Sequence, residues 1–243
     1  MANSSPQISV VIPILNERDN LHPLTAQTLK ALTGQVASFE IIYVDDGSTD
    51  GSSSLLDQLA ENHPEVRVLH FSRNYGQTAA FDAGFRHARG ELIATLDGDL
   101  QFDPADILRL LPLAQTYDLV CGWRRDRHDT FVKRLSSRIA NRVRNAVTRD
   151  GVHDTGCSLK IFRRAVVERL TLFEGMHRFF PALARMHGFT VGEIPVHHYP
   201  RAHGQSKYGI GNRLFKSLYD LLAVGWMQKR CLRYTYTNSD KHG

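Results

Sequence analysis

Asp97-Gly98-Asp99-Leu100-Gln101 places two carboxylates and a side-chain amide at alternate positions. If the chain stays extended there, residues 97, 99 and 101 point to one side and their oxygens converge. Hard oxygen donors of this kind suit Mg2+ or Mn2+, which keep coordination positions open for phosphate. The same residues would also make a solvated Asp-Gly turn. The apolar run just before them, Leu92 to Leu96, favours the site: it reads as a buried parallel strand, and open α/β sheets hold ligands beyond the C-terminal ends of such strands.

Two more polar clusters follow apolar runs in the same way. Asn16-Glu17 comes after Ile8 to Ile14, and Asp45-Asp46 after Phe39 to Val44. In a parallel sheet the three clusters share one edge and surround one crevice. Like charges packed there are costly unless a cation or hydrogen-bond donors join them. Ribose hydroxyls and base N–H groups are such donors, so a nucleotide fits the crevice. No Gly-x-Gly-x-x-Gly follows the first strand, and no Gly-x-x-x-x-Gly-Lys-Ser/Thr loop occurs anywhere. Dinucleotide dehydrogenases and P-loop NTPases are thereby disfavoured.

The elements that must position these residues alternate regularly. Further strands are expected at Val66 to Phe71 and Leu119 to Gly122. Helices are expected at Asn20 to Leu32, Ser52 to Asn62 (capped by Ser48 or Asp50) and Gln77 to Ala88. Another should begin at Pro104 with Asp103 as its cap. This β-α rhythm with short connections predicts a doubly wound, mostly parallel α/β sheet. Beyond Gly122 the character changes. From Arg124 to Arg149 there are nine Lys or Arg against two acids. Within that stretch Phe131, Leu135, Ile139, Val143 and Val147 recur every four residues, the pattern of an amphipathic helix. Such a helix either packs on the sheet or lies at an anionic lipid surface. Asp154 to Arg163 reads as a loop entering a strand. A helix near Arg178 to Met186, a strand near Thr190 to Val196 and a last, largely apolar helix from about Gly211 to Lys229 complete the chain. Phe215, Tyr219 and Trp226 of that helix read as core aromatics or, beside Lys229, Arg230 and Arg233, as anchors at a lipid interface. One domain over 1–210, an interfacial segment over 211–236 and a disordered tail over 237–243 is the simplest division.

Composition bounds the partners. The chain has 243 residues, 42% hydrophobic and 23% charged, with a formal net charge of +5. That is an ordinary globular composition, leaning towards anionic partners. Cys121, Cys157 and Cys231 are odd in number and widely spaced, as expected of packed thiols in a reducing compartment. His197, His198 and His203 fit no zinc spacing. The N-terminus has no signal-peptide pattern, and the longest apolar run near the end, Leu221 to Met227, is far shorter than the roughly 20 residues that span a bilayer. Nucleic acid is not an expected partner, because a carboxylate-lined crevice repels phosphate backbone.

Five motifs stand in register: Pro13-x-x-Asn16-Glu17, Asp45-Asp46-Gly47-Ser48-x-Asp50, Asp97-x-Asp99-x-Gln101, Gly122-x-Arg124 and Arg201-x-x-Gly204-x-Ser206-Lys207-Tyr208. Their order resembles that of family-two glycosyltransferases of the GT-A (Rossmann-like) fold. More narrowly it resembles dolichol-phosphate mannose synthases and bacterial polyprenyl-phosphate glycosyltransferases, from about residue 7 to residue 233. The resemblance implies an inverting, metal-dependent transfer of sugar from a UDP- or GDP-linked donor to a polyprenyl (dolichyl or undecaprenyl) phosphate. A soluble sugar or polysaccharide acceptor is the alternative. It also implies Mg2+ or Mn2+ at Asp97, Asp99 and Gln101. The nucleotide sugar would be held by Pro13, Asn16, Glu17, Asp45, Asp46, Asp97, Arg124, Arg201 and Lys207, with catalytic roles for Asp99, Arg124 and Asp154. Asp154 would orient the reacting groups, or else serve as a turn or cap residue before Gly156. Leu15 stands where mannose synthases commonly carry Tyr, and Lys160 where they carry Arg, while Arg73 to Gln77 is similar to bacterial enzymes that use UDP-sugars. With a lipid acceptor and no spanning segment, the expectation is a peripheral protein on the inner face of the cytoplasmic membrane, bound to anionic lipid through the 131–147 helix and the Gly211 to Arg233 segment and helped by a separate membrane subunit.

Overall fold

The computed structural model describes residues 5–124, 144–201 and 211–232, with backbone alone for 211–217. The chain forms seven strands: β1 (Ile8–Ile14), β2 (Phe39–Asp45), β3 (Val66–His70), β4 (Leu92–Thr95), β5 (Leu119–Arg124), β6 (Lys160–Arg163) and β7 (Val191–Val196). They make one sheet in the order β3-β2-β1-β4-β6-β5-β7. Neighbours run parallel except β6, which is antiparallel to both β4 and β5. The α/β, doubly wound, mostly parallel class expected from the sequence is what forms.

Helices cover both faces. Along β1 the side chains alternate, so Val10 and Ile12 join one apolar cluster and Val11 the other. The first cluster takes Leu21 and Leu24 of α1 (Arg18–Leu32), Leu56 of α2 (Ser52–Asn62) and Ile107 of α4 (Asp106–Leu110). The second takes Phe81 and Phe85 of α3 (Gln77–His87), with Val166 of α6 (Arg164–Arg169) following a helical turn α5 at 144–148. Phe180 of α7 (Phe180–Met186), and Leu221 and Val224 of α8 (Gly211–Arg230), complete it. Phe162 on β6 sits between Phe85 and Phe180, with ring centroids 5.3 and 5.2 Å away. It is fully buried, and truncating it to Ala would cost about 3–5 kcal/mol. α3 approaches β1 so closely that a Cβ on Gly84 would strike Val11.

Several local expectations change in detail. The regular part of α4 begins at Asp106, not Pro104, because the Asp103 carbonyl already takes the Asp106 N–H in a tighter turn. Asp103 still acts at that end, its carboxylate accepting the Ala105 N–H at 2.9 Å. At α2 Asp50 accepts from the N–H and the hydroxyl of Ser52, while Gly51, at φ 90, makes the bend. The helix expected from Arg178 opens as a 3-10 turn at Met176–Phe179. Of the basic amphipathic stretch, residues 125–143 lie outside the described residues. So do Lys207 with the rest of 202–210, Arg233 and the 237–243 tail. The last helix does not bury its whole circumference: Leu221 and Val224 are buried, whereas Tyr219, Leu222 and Trp226 stay exposed.

Candidate active site

β4 ends at Thr95, and the acidic stretch after it is a turn instead of the extended run expected from the alternation. Leu100 takes φ 58, and a Cβ on Gly98 would come 2.5 Å from Ile14, so the turn closes hard against the end of β1. Convergence of the acids is thus achieved by turn geometry. Asp99 accepts its own turn's Gln101 N–H at 3.2 Å and the Arg201 Nη2 at 2.8 Å. Asp97 accepts from the Gln77 side chain at 3.0 Å. Gln101 is joined to the chain leaving β7: it takes the Tyr199 N–H on its carbonyl at 2.9 Å, and its side-chain amide donates back to the Tyr199 carbonyl at 3.4 Å.

These acids open on a cavity of about 380 Å3 at the C-terminal ends of β1, β2 and β4. Pro13, Glu17, Asp46, Asp97, Asp99 and Gln101 line it, and Arg124, Lys160, Arg178 and Arg201 contribute cations. Burial, together with the Asp99 charge beside it, pushes the Asp97 carboxyl up to about 6, against the pull of Lys160 and Arg124. Such a pair gains from a bound cation. A hard oxygen donor set with a like-charge strain fits Mg2+ or Mn2+ in its chemistry, and Arg201 already supplies positive charge at Asp99. Among the described residues no group of three His, Cys, Asp or Glu could ligate a metal, so an ion here would draw other ligands from phosphate and water.

The cationic wall depends on the antiparallel strand. Pairing of β6 with β4 sets Lys160 opposite Thr95, two residues before Asp97. Lys160 is buried, and its ammonium donates to the carbonyls of Thr155 and Cys157. Arg124, at the end of β5, is held by Asp154 through two hydrogen bonds, Nε to Oδ2 at 2.6 Å and Nη2 to Oδ1 at 2.9 Å. Asp154 itself is not on the cavity wall. Its N–H donates to Glu193 of β7, as does that of His153. Gly156 lets Arg124 lie close: a Cβ there would stand 3.0 Å from Nη2. Arg144 is buried in a brace of the 150–155 loop, donating to Thr155 and Val152 with Asp150 3.5 Å away.

Besides Asp154, two residues of the sequence-derived set stand apart from the cavity. Asp45 is buried and accepts from the Ser48 N–H, the Ser53 hydroxyl and the His70 ring. Burial alone would raise its carboxyl, yet these donors hold it below the ordinary value. Asn16, at φ 50, accepts the Thr49 N–H at 2.7 Å and so ties the ends of β1 and β2 together. Asp46 does face the cavity, gripped by the N–H groups of Tyr75 and Gly76. Burial raises its carboxyl, with the Asp45 charge adding to the effect. His197, weighed above as a metal ligand, is bonded to Asp106. Cys121 and Cys157 are free and buried, and burial pushes both thiols up to about 12. Gln77, Lys160, His177 and Arg178 line the cavity without having been named as site residues from the sequence. Lys160 carried a visible signal, as a departure within a motif. His177 carried none, since it arrives through its hydrogen bond to Thr78, 99 positions away.

Residues 9–171 match the family model described as Glycosyl transferase family 2. Over 226 residues the chain is 40% identical to the dodecaprenyl-phosphate galacturonate synthase of Rhizobium johnstonii, covering 90% of this chain and 67% of that protein. It is also 40% identical, over 218 residues, to the undecaprenyl-phosphate 4-deoxy-4-formamido-L-arabinose transferase of Edwardsiella ictaluri, covering 88% and 66%. The chain therefore spans about two thirds of the length of these curated relatives. Among solved structures, glucosyl-3-phosphoglycerate synthase from Mycobacterium tuberculosis, in complex with Mn2+, UDP and glucosyl-3-phosphoglycerate, superposes with a TM-score of 0.66 at 18% identity, over 93% of this chain and 80% of that one. A mannosyltransferase from Pyrobaculum calidifontis, in complex with GDP-Man and Mn2+, gives 0.61 at 20% identity, over 96% and 67%. At these identities the two structures bear on the fold, which is GT-A.

Proposed function

The chain belongs to glycosyl transferase family 2, and from that premise we propose that it transfers a sugar, with inversion, from a UDP- or GDP-linked donor to a polyprenyl phosphate. The observation that carries this reading is the division of charge in one cavity. Paired acids at 97 and 99 share the lining with Arg124, Lys160, Arg178 and Arg201, the last bonded to Asp99. A nucleoside diphosphate with a divalent ion has the complementary pattern. The polyprenyl acceptor is supported by the names of the two relatives 40% identical to this chain.

As the glycosidic bond breaks, negative charge develops on the departing diphosphate. Arg124 and Arg201 would meet it with preorganised guanidinium groups, which is where catalysis of this kind gains most. Arg124 is the better prepared, since Asp154 fixes its plane by two hydrogen bonds. We therefore assign Asp154 to positioning Arg124, with Glu193 behind it. A Mg2+ or Mn2+ held by Asp97 and Asp99, with Gln101 beside them, would supply further charge neutralisation at the diphosphate. Glu17 and Asp46 would take donor hydroxyl or N–H groups of the nucleotide, with Pro13 as an apolar wall. The acceptor, a phosphate monoester with its second pKa at about 6, is largely dianionic near neutrality and attacks without a general base. Attack from the face opposite the leaving group inverts the anomeric centre. Asn16 and Asp45 would shape the pocket from behind, and Lys207 remains assigned to the phosphates by motif.

No helix among the described residues is long and apolar enough to cross a membrane. α8 exposes Tyr219, Leu222 and Trp226, the last at 64%, with Lys229 and Arg230 following. We read residues 211–236 as a segment that meets the anionic cytoplasmic leaflet beside a catalytic unit of 1–210, with a separate membrane subunit as a candidate helper. The deciding experiment supplies UDP- and GDP-sugars, Mn2+ and a polyprenyl phosphate. Nucleoside diphosphate release that requires both lipid phosphate and metal is the expected result. Equal release onto a soluble sugar would overturn the acceptor, and co-flotation with anionic but not neutral vesicles checks the membrane segment.

A further inference from the structure

Asp99 is asked above to hold a divalent ion, yet the cation on it in this structure is the chain's own Arg201. Nη2 donates to Asp99 Oδ2 at 2.8 Å, and Nη1 stands 3.6 Å from Glu17 Oε1. One guanidinium thus spans acids from the ends of β4 and β1, across 102 positions of sequence in the first case. The segment carrying it is fastened just upstream. The His197 N–H and ring are bonded to Asp106, and Tyr199 and Gln101 exchange the two hydrogen bonds already described. Arg201 follows the last of these clamps with its side chain 29% exposed, so the guanidinium can swing away while the backbone before it stays put. Arg124 and Lys160 differ in this respect, because their hydrogen bonds go to Asp154 and to backbone carbonyls.

We propose that Arg201 is a built-in counter-ion that competes with the divalent cation for Asp99 and is drawn off by the nucleoside diphosphate. Two cations on one carboxylate oxygen repel each other at contact distance, so each weakens the other's hold. A diphosphate removes the conflict. It gives Arg201 a new bidentate anionic partner and offers the ion extra oxygens. Metal and nucleotide then bind with positive coupling, and the coupling is reciprocal: each tightens the other by the same factor. Without nucleotide the acids are neutralised internally and hold free metal weakly. This inference rests on the reading under Proposed function.

The test measures Mn2+ binding by calorimetry to wild type, Arg201→Lys and Arg201→Gln, first alone and then with saturating UDP or GDP. Melting temperatures confirm that the variants are folded. Without nucleotide, Arg201→Gln should bind Mn2+ about tenfold more tightly than wild type, within the usual range of coupling factors of about 5–150. Arg201→Lys, which keeps charge but loses the fork, should fall between. With nucleoside diphosphate the gap should close, and turnover of Arg201→Gln should be lower than wild type. Tighter metal with slower turnover is a combination that a merely structural residue would not produce. Equal Mn2+ affinity of wild type and Arg201→Gln in the absence of nucleotide would overturn the proposal while leaving the metal site standing. Failure of wild type to bind Mn2+ even with UDP and GDP present would overturn both.

Discussion

Two acidic pairs occupy the same edge of the sheet and meet opposite fates. Asp45 ends β2 with Asp46 just beyond it, and Asp97 and Asp99 follow β4. Asp45 is saturated by the chain itself, with donors from Ser48, Ser53 and His70, and its carboxyl is held below the ordinary value. Asp97, bonded to Gln77, is buried beside another acid and is pushed up to about 6 even with Lys160 and Arg124 near it. An acid whose donors come from its own loop holds that loop in shape. An acid left with excess negative charge at a cavity is prepared for a cation from outside. Identical residue types thus separate into a structural pair member and a binding pair, and the balance of donors against burial and neighbouring negative charge tells them apart.

The comparison breaks most visibly at Asp99. Asp99→Asn should lower turnover by at least ~100-fold, the scale of losing one transition-state electrostatic contact, while leaving the melting temperature close to wild type. Relief of repulsion should also bring the Asp97 carboxyl down from about 6. If the variant instead melts early and keeps its turnover, the two regions have been assigned the wrong way round.

Asp45→Asn tests the other side. An amide keeps only one accepting oxygen, so it cannot serve both the Ser48 N–H on Oδ1 and the Ser53 and His70 donors on Oδ2. The substitution should cost about 1–3 kcal/mol at pH 7, read by urea unfolding. Asp45 has a depressed carboxyl, so its contribution is present above the ordinary value of about 3.9 and is lost as pH falls through the lower folded-state value. Wild type and variant should therefore converge in strong acid. A constant gap at all pH values would argue that shape, not charge, matters there.

The smallest effect is expected at Asp57, the outer partner of His70 at 3.0 Å. Burial tends to lower the His70 ring's pKa, yet bonds to Asp45 and Asp57 raise it above the ordinary value. The associated stabilisation is full below about 6.5 and is lost as pH rises through the folded-state value. Asp57→Asn should shift the His70 titration downward, followed by NMR of its ring, with little change in melting. An unmoved titration would show that Asp45 alone sets the ring's charge and would sharpen the view of that loop as self-contained.

Strand and helix positions were legible in the sequence because they depend on near neighbours. Ile8 to Ile14 and Phe39 to Val44 are continuous apolar runs ended by turn residues, and both formed as expected. The turn at 97–101 was misjudged as extended because Leu100 carries no sign of its left-handed φ. That conformation follows from packing Gly98 against Ile14. Strand direction was equally hidden: nothing in Lys160-Ile161-Phe162-Arg163 marks it as antiparallel, yet it runs against its neighbours, which is how a buried lysine arrives opposite Thr95, two residues before Asp97.

By itself the sequence determined the α/β alternation, the edge on which the acids collect, and the motifs by which the family is recognised, since all of these lie in contiguous segments. Only the tertiary structure decided which acids are already neutralised. Asp154 belongs to Arg124 thirty positions away, and Arg201 reaches Asp99 across 102. Electrostatic partnership falls off within a few ångströms, and the chain's path through space, not its order, sets which charges come that near.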